Sequence, residues 1–279
     1  MYRYFIELAY KGTPFCGWQL QPNALTVQEE LERVLRLLLR EPVRLTGSGR
    51  TDTGVHASYF VAHFDSVRND LHTDSRLVEK INRVAQREIA VYRITSVAAG
   101  AHARFDALRR TYHYRIATGK NPFTADMAYH LYRPLDVEKM NEAAKILPEY
   151  TDFTSFSKLH GNAATNLCRI EQAYWTDEPE IRELCFVITA NRFLRNMVRA
   201  IAGTMIEIGY GKRLPGDIRR IIEARDRNAA GTSVPPQGLY LTDIAYPPDV
   251  FQSSVFPSEA AGTHPPFPRN MSSQVIVCK

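Results

Sequence analysis

The chain has 279 residues, of which 44% are hydrophobic, so it can bury a sizeable core, yet it has no apolar stretch of membrane-spanning length. Its formal net charge of +5 permits nucleic-acid binding without requiring it. The four scattered cysteines form no Cys-x-x-Cys pair and the first residues do not resemble a signal peptide, so we expect a cytoplasmic protein with reduced thiols and no metal site.

The first hundred residues predict two helices among four strands. Alternation of polar and apolar residues predicts a strand over 2–10. Thr26 and Glu29 match a capping box, which opens an amphipathic helix that continues through Leu38. The other predicted elements are a helix over 76–84 and strands over 43–45, 59–64 and 89–94.

The second part of the chain predicts the same order of elements. A strand is predicted over 111–117, and Asp136 is placed to cap a helix through Leu147, which Pro148 ends. A long helix is predicted over 194–208, with Gly209 at its end. The remaining predictions are strands over 169–175, 184–190 and 239–246, and a helix over 217–225.

Each part therefore reads strand-helix-strand-strand-helix-strand, the split βαβ pattern. We predict an α+β fold of two ferredoxin-like or RRM-like halves with mostly antiparallel sheets and a central catalytic cleft. The predicted domains are 1–100 and 101–248. Residues 249–279 are rich in proline and serine, so we expect a disordered tail and assign it no function.

One loop concentrates residues suited to chemistry. Residues 47–57 read GSGRTDTGVHA, which places Asp52 among glycines and hydroxyls, two residues after Arg50. Such a loop can hold an acid while a ligand approaches, or it can be an ordinary polar turn between strands. Asp-Thr-Gly is also the triplet of aspartic proteases, but those enzymes need two such acids and this chain has one copy.

A second candidate is the arginine in the long apolar helix. Arg199 is the only ionisable residue between Arg195 and Glu207, on a helix that is apolar all round and therefore predicted to be buried. A buried unpaired guanidinium is costly, so Arg199 should have an anionic partner. Asp52 is one candidate, and the alternatives are another core acid or a side chain that reaches solvent.

Two further runs combine aromatic and basic residues. On the strand over 111–117, Tyr112 and Tyr114 share one face, which suits either a half-buried sheet face or a ring that stacks on a base. Residues 102–105 read HARF, a combination that suits contacts to a nucleic-acid backbone. His56 could act as a general acid or base, although a lone loop histidine is more often structural.

These runs together resemble the TruA family of tRNA pseudouridine synthases. The resemblance spans about 2–247 and rests on five motifs in family order: GRTDTGVH, HARF, RTYHY, DFTSF and MVR. It implies that Asp52 is the nucleophile, although Thr53 stands where many members have Ala. It further implies that Arg199 pairs with that acid, that Tyr112 contacts the target base and that Leu239 lines the base pocket.

The resemblance also implies a set of RNA contacts. Arg50 is the candidate to fill the gap left by a flipped base, and a loop over 160–165 corresponds to one that touches tRNA. The family pattern differs at 82–86, NRVAQ, where a Leu-Pro pair usually follows the asparagine. The other candidate RNA-binding residues are His102, Arg104, Phe105, Lys120, Lys158, Arg192 and Arg195.

The implied reaction is isomerisation of uridine to pseudouridine at positions 38, 39 and 40 of the tRNA anticodon stem-loop. It needs no cofactor, since neither redox change nor hydrolysis occurs. The implied partners are tRNA and a second copy of the chain, without a membrane. The alternative is a catalytically silent RNA-binding protein of the same fold, which would keep the basic surface without needing Asp52.

Overall fold

A computed structural model describes residues 1–158 and 165–251 of the chain. Within these ranges the protein is mixed α/β, with nine strands and five α-helices. The strands are β1 (Tyr2–Tyr10), β2 (Thr46–Gly47), β3 (His56–Ser66), β4 (Ile89–Ser96), β5 (Arg109–Ala117), β6 (Tyr129–His130), β7 (Ile170–Glu178), β8 (Glu183–Ala190) and β9 (Leu239–Ala245). The α-helices are α1 (Val27–Leu39), α2 (Ser75–Val84), α3 (Val137–Ala144), α4 (Met197–Gly209) and α5 (Asp217–Ala224).

The strands form one mostly antiparallel open sheet. Its main path runs β4-β1-β3-β9-β5-β8-β7, while β2 pairs with β3 and β6 pairs with β5. The central junction, between β3 and β9, is parallel and pairs His56 with Tyr240 and Ala57 with Leu241. Because β3 begins four residues after Asp52, this junction ties the candidate loop to β9, the last strand in the chain.

Two apolar cores lie against this sheet. The first joins α1 and α2 to β1, β3 and β4, around fully buried side chains such as Phe5 and Phe60. The second joins α3, α4 and α5 to strands β5, β7, β8 and β9, around Phe186 and Ile201. Eleven of the 13 residues of α4 are buried, as its all-round apolar sequence predicts.

Side-chain caps fix the starts of two predicted helices. The Thr26 hydroxyl accepts a hydrogen bond from the Glu29 N–H at 3.2 Å, so α1 begins where the capping residues predict. A carboxylate oxygen of Asp136 accepts from the Lys139 N–H at 3.1 Å at the start of α3. This helix is shorter than predicted and ends at Ala144, and a separate 3-10 turn over Leu147–Glu149 contains Pro148.

Two predicted boundaries are wrong in ways that affect the site. No strand forms over 43–45, and the short strand β2 lies just after it, at Thr46–Gly47. The long helix begins at Met197 instead of at 194, because Asn196 has a φ of 68° and cannot continue a right-handed helix. Arg195 therefore lies in a turn, and Arg199 lies in the first turn of α4.

The first residues of the predicted tail belong to the fold. Residues 249–251, at the start of that tail, are ordered: a 3-10 turn covers Pro248–Val250, and Phe251 forms a β-bridge with Val97. The rest of the predicted tail lies outside the described residues.

Within 1–158 and 165–251, no helix has the length and apolar character needed to cross a membrane.

Candidate active site

Asp52 lies in the loop between β2 and β3, and neighbouring segments hold that loop in place. The Asp52 carbonyl accepts from the Val55 N–H at 3.1 Å, which closes a turn around the acid. On the preceding residue, the Thr51 carbonyl accepts from the Trp18 N–H at 3.3 Å. The Thr51 hydroxyl lies 2.8 Å from the hydroxyl of Tyr10, at the end of β1. The backbone that carries the acid is therefore fixed on both sides.

Gly17 permits this close approach of two backbone segments. A Cβ at position 17 would lie 2.4 Å from the Thr51 carbonyl oxygen, and the residue has a φ of +84°. Only glycine meets both conditions without strain. The segment before α1 thus packs directly against the backbone of the Asp52 loop.

Two guanidinium groups flank the Asp52 carboxylate. Nη1 of Arg199 lies 3.7 Å from one carboxylate oxygen, and Nε of Arg195 lies 3.4 Å from the other. The Arg199 side chain is only 19% exposed, and its Nε donates to the Val234 carbonyl at 2.7 Å. The Asp52 side chain is 29% exposed, so the acid remains accessible to a ligand. The structure thus brings together Asp52 and Arg199, the pairing that the family resemblance implied.

Arg195, predicted only as an RNA contact, also lies beside the acid. Arg195 lies in the turn before α4, and the left-handed Asn196 separates it from the helix that carries Arg199. No helical spacing in the sequence could therefore have placed both arginines beside Asp52. Arg195 is 64% exposed, so it can also reach a bound polyanion.

Tyr112 places an aromatic ring next to these charges. It lies on β5, partly buried, with its ring edge-on to Phe193 at a centroid distance of 5.1 Å. Burial, together with the negative charge of Asp52, raises the pKa of Tyr112 to about 12, so the phenol is neutral near pH 7. Leu239 is 7% exposed at the start of β9, opposite Tyr114 on β5. The geometry thus offers a carboxylate on a loop, one cation on a turn, a second cation on α4 and a ring on β5.

Comparison with known proteins identifies the family of this chain. A family model described as tRNA pseudouridine synthase matches residues 143–247. The chain is 51% identical to tRNA pseudouridine synthase A of Parabacteroides distasonis over 251 residues, which cover 90% of this chain and 98% of that protein. The protein of the same name from Porphyromonas gingivalis is 50% identical, with 90% of this chain and 100% of that protein covered. The chain belongs to the tRNA pseudouridine synthase A family.

More distant relatives also align over nearly their full length. The tRNA pseudouridine synthase A of Limosilactobacillus fermentum is 39% identical over 251 residues, which cover 88% of this chain and 96% of that protein. The resemblance derived from five short motifs is therefore confirmed at the level of the family.

In this member of the family, three of the candidate RNA-binding arginines lie close together. Arg50 and Arg192 are near enough to Arg104 that their positive charges add to the effect of burial and lower the pKa of Arg104. Arg50 and Arg104 are exposed, and Arg192 is partly buried. Across the part of the chain that the structure describes, none of the three forms an ion pair with a carboxylate. We call these residues the arginine cluster.

His102 and Phe105 shape the turn beside the arginine cluster. Nδ1 of His102 accepts hydrogen bonds from the N–H groups of Arg104 and Phe105, at 3.1 and 3.3 Å. The His102 N–H in turn donates to Asp106 at 2.7 Å. Phe105 is 74% exposed, and the Arg104 guanidinium lies 5.6 Å from its ring centroid. His102 thus holds the turn together, while Phe105 is presented to solvent.

The two candidate lysines differ in position. Lys158 is exposed, and its N–H donates to the Arg195 carbonyl at 3.1 Å, so it lies beside the turn that carries Arg195. Lys120 follows the far end of β5, and the strand from Tyr112 to Ala117 alone spans roughly 16 Å. The structure therefore does not bring Lys120 next to Asp52. Most of the predicted tRNA loop, residues 160–164, lies outside the described residues.

His56 occupies a buried structural position at the start of β3. Its Nδ1 accepts from the Gly12 N–H at 3.0 Å, its Nε2 lies 3.2 Å from the Gln237 carbonyl oxygen, and its ring stacks on Tyr240 at 4.6 Å. These contacts suit a neutral ring with the proton on Nε2. Burial lowers the pKa of His56 to about 4. Both ring nitrogens are occupied, so we assign His56 to holding the β3–β9 junction.

The neutral His56 predicts a loss of stability in mild acid. An unfolded histidine binds a proton near pH 6.5, whereas the folded His56 binds one only near pH 4. The unfolded state thus takes up more protons within this window, so the free energy of unfolding falls as pH falls from 6.5 to 4, by at most about 3 kcal/mol from this group. Urea unfolding at pH 7 and pH 4.5 should show a smaller fall for His56→Asn than for the unaltered protein.

His72 provides the control for this measurement, because it is an exposed histidine in the same protein. His72→Asn should show the same fall in stability as the unaltered protein. An equal fall for His56→Asn would contradict the structural role of the neutral ring.

Proposed function

We propose that this protein converts uridine to pseudouridine at positions 38, 39 and 40 of the tRNA anticodon stem-loop, with Asp52 as the nucleophile. The observation that carries the proposal is the position of Asp52, accessible between Arg199 and Arg195 in a member of the tRNA pseudouridine synthase A family. The choice of the anticodon stem-loop rests on the resemblance of the motifs.

The reaction is an isomerisation in which one bond to carbon is exchanged for another. The bond between uracil N1 and ribose C1′ breaks, the uracil turns, and a bond between C5 and C1′ forms. C5 loses a proton and N1 gains one, so atoms and electrons balance without a redox partner. Asp52 attacks either C1′ or C6 of the nucleotide. A carboxylate that attacks C1′ has precedent in glycosidases, and both routes need the ionised carboxylate.

Arg199 and Arg195 have different roles in this proposal. Arg199 is mostly buried and anchored to the Val234 carbonyl, so it orients the carboxylate throughout the reaction. Arg195 is mostly exposed, and an exposed ion pair contributes little to stability. We therefore propose that Arg199 positions the nucleophile. We propose that Arg195 both pairs with the acid and contacts the RNA backbone.

The target base must leave the RNA stack to reach Asp52. Tyr112 supplies a ring on which an extruded uracil can stack, and Leu239 supplies an apolar wall on the neighbouring strand β9. Arg50 is exposed two residues before Asp52, where it can fill the space that the base leaves. The positive charges of the arginine cluster suit the phosphates on either side, with Lys158 nearby.

The strand orders support two split βαβ halves. With the short strand β6 set aside, the early strands have the order β4-β1-β3-β2 and the late strands the order β9-β5-β8-β7. In chain order, each series of four therefore reads fourth, first, third, second. We propose a division near residues 98–103, with the catalytic cleft where β3 meets β9. A homodimer and a cytoplasmic location rest on the resemblance and on the free cysteines.

Replacing Asp52 tests the proposed chemistry and separates it from silent RNA binding. In Asp52→Asn, tritium release from 5-tritiated uridine in tRNA should fall by at least about a thousand-fold, because the amide is not nucleophilic. RNA affinity measured by filter binding should persist. Equal tritium release from both proteins would rule out Asp52 as the nucleophile. An absence of release from the unaltered protein, with intact RNA binding, would favour the silent RNA-binding alternative.

Replacing Arg199 tests the orientation of the acid. Arg199→Leu should lower kcat for tritium release by about a hundred-fold or more, since a buried charge partner of the reacting group is lost, while RNA affinity is retained. Arg195→Leu is the matched variant, and its main effect should be a higher KM for tRNA. A thermal melt of each variant checks that the fold persists. Full activity of Arg199→Leu would contradict the proposed pairing.

A further inference from the structure

The guanidinium of Arg110 satisfies four backbone carbonyls at once. Nη1 donates to the carbonyls of Ala107 and Asn191, at 3.2 and 2.9 Å. Nη2 donates to the carbonyls of Ser48 and Arg104, at 2.9 and 2.6 Å. Across residues 1–158 and 165–251, this cation forms no ion pair with a carboxylate. Four carbonyl dipoles therefore face its charge.

The four carbonyls belong to three segments that are far apart in the chain. Ser48 lies two residues before Arg50, and Asn191 lies directly before Arg192. The remaining two carbonyls, from 104 and 107, belong to the segment that carries Arg104 itself. Each segment held by Arg110 thus contributes one member of the arginine cluster.

Placing a guanidinium at position 110 costs folding free energy. Burial lowers the pKa of its guanidinium, and the nearby charges of Arg104 and Arg192 act in the same direction. An apolar side chain would avoid the cost of placing a third positive charge beside those of Arg104 and Arg192. A planar guanidinium, however, offers two pairs of donors in a fixed fork, which a single ammonium cannot reproduce. The geometry of the fork is therefore what this position requires.

We propose that Arg110 is a positioning residue for RNA binding, which fixes three segments so that the arginine cluster is assembled before the substrate arrives. This inference rests on the proposed function for its substrate, but it concerns a residue whose two Nη groups donate to backbone carbonyls. Three like charges repel one another, so free segments would separate. Holding them together in advance removes an ordering cost from the binding of the polyanion.

Kinetics of Arg110→Met and Arg110→Lys test the proposal. Both variants should raise KM for tRNA in the tritium-release assay by about tenfold or more, because neither side chain spans the two carbonyl pairs. The kcat value should change by less than about threefold, since the contacts of Thr51, Val55 and Val234 that hold Asp52 and Arg199 remain. Full recovery of KM in Arg110→Lys would overturn the proposal, because it would show that charge alone suffices.

Arg109→Met is the matched control. Arg109 precedes Arg110 on β5, is exposed, and carries the same charge, so its loss changes net charge without opening the carbonyl fork. Its KM should stay close to that of the unaltered protein. An equal rise in KM for Arg109→Met would overturn the proposal in favour of a net-charge effect.

Chemical rescue separates the fork from a general loss of structure. In Arg110→Ala, millimolar methylguanidinium should lower KM towards the original value, whereas methylammonium at the same ionic strength should not. Absence of rescue in a variant that melts normally would overturn the proposal. Filter binding of tRNA to the same variants should follow the same order as KM. If the unaltered protein released no tritium, the proposed reaction would fail, while these affinities would still decide the role of Arg110.

Discussion

The contact between the Asp52 carboxylate and two guanidiniums depends on where β3 meets β9. Asp52 lies four residues before the parallel pairing of His56 with Tyr240, and the Val234 carbonyl that anchors Arg199 lies five residues before β9 begins. The sheet junction therefore sets the distance between acid and cation. A change that disturbed this junction would separate them without altering either side chain.

The charges around this acid are unequal in number. Asp52 faces Arg199 and Arg195, and the neighbouring arginine cluster has no carboxylate partner in the residues described. Such an excess of positive charge costs folding stability through repulsion, and a polyanion that binds there relieves it. Under the proposed function, the unfavourable electrostatics of the free protein become favourable interactions once RNA binds. Salt should weaken those interactions, because counterions compete for the same sites.

Much of the fold could be predicted from local sequence patterns. The errors in the predicted element boundaries also have local causes. Alternation and capping residues located β1, α1 and the start of α3, because these signals depend on near neighbours in the chain. The predicted start of α4 was wrong because Asn196 has a left-handed backbone conformation, which ends the turn before the helix. The sequence did not reveal this, because asparagine adopts both right-handed and left-handed conformations. The joining of β3 to β9 depends on residues 184 positions apart, so no local pattern encodes it.

The same distinction applies to the site. The need of Arg199 for an anion follows from its apolar surroundings in the sequence, and the structure places Asp52 within 3.7 Å of it. Arg110 gave no comparable signal, because its partners are backbone carbonyls, which every residue possesses. A cation that binds main-chain oxygens has no acidic partner in the sequence from which its role could be predicted. Roles of this kind become visible only when the segments are seen together, and here those segments are the ones that carry the arginine cluster.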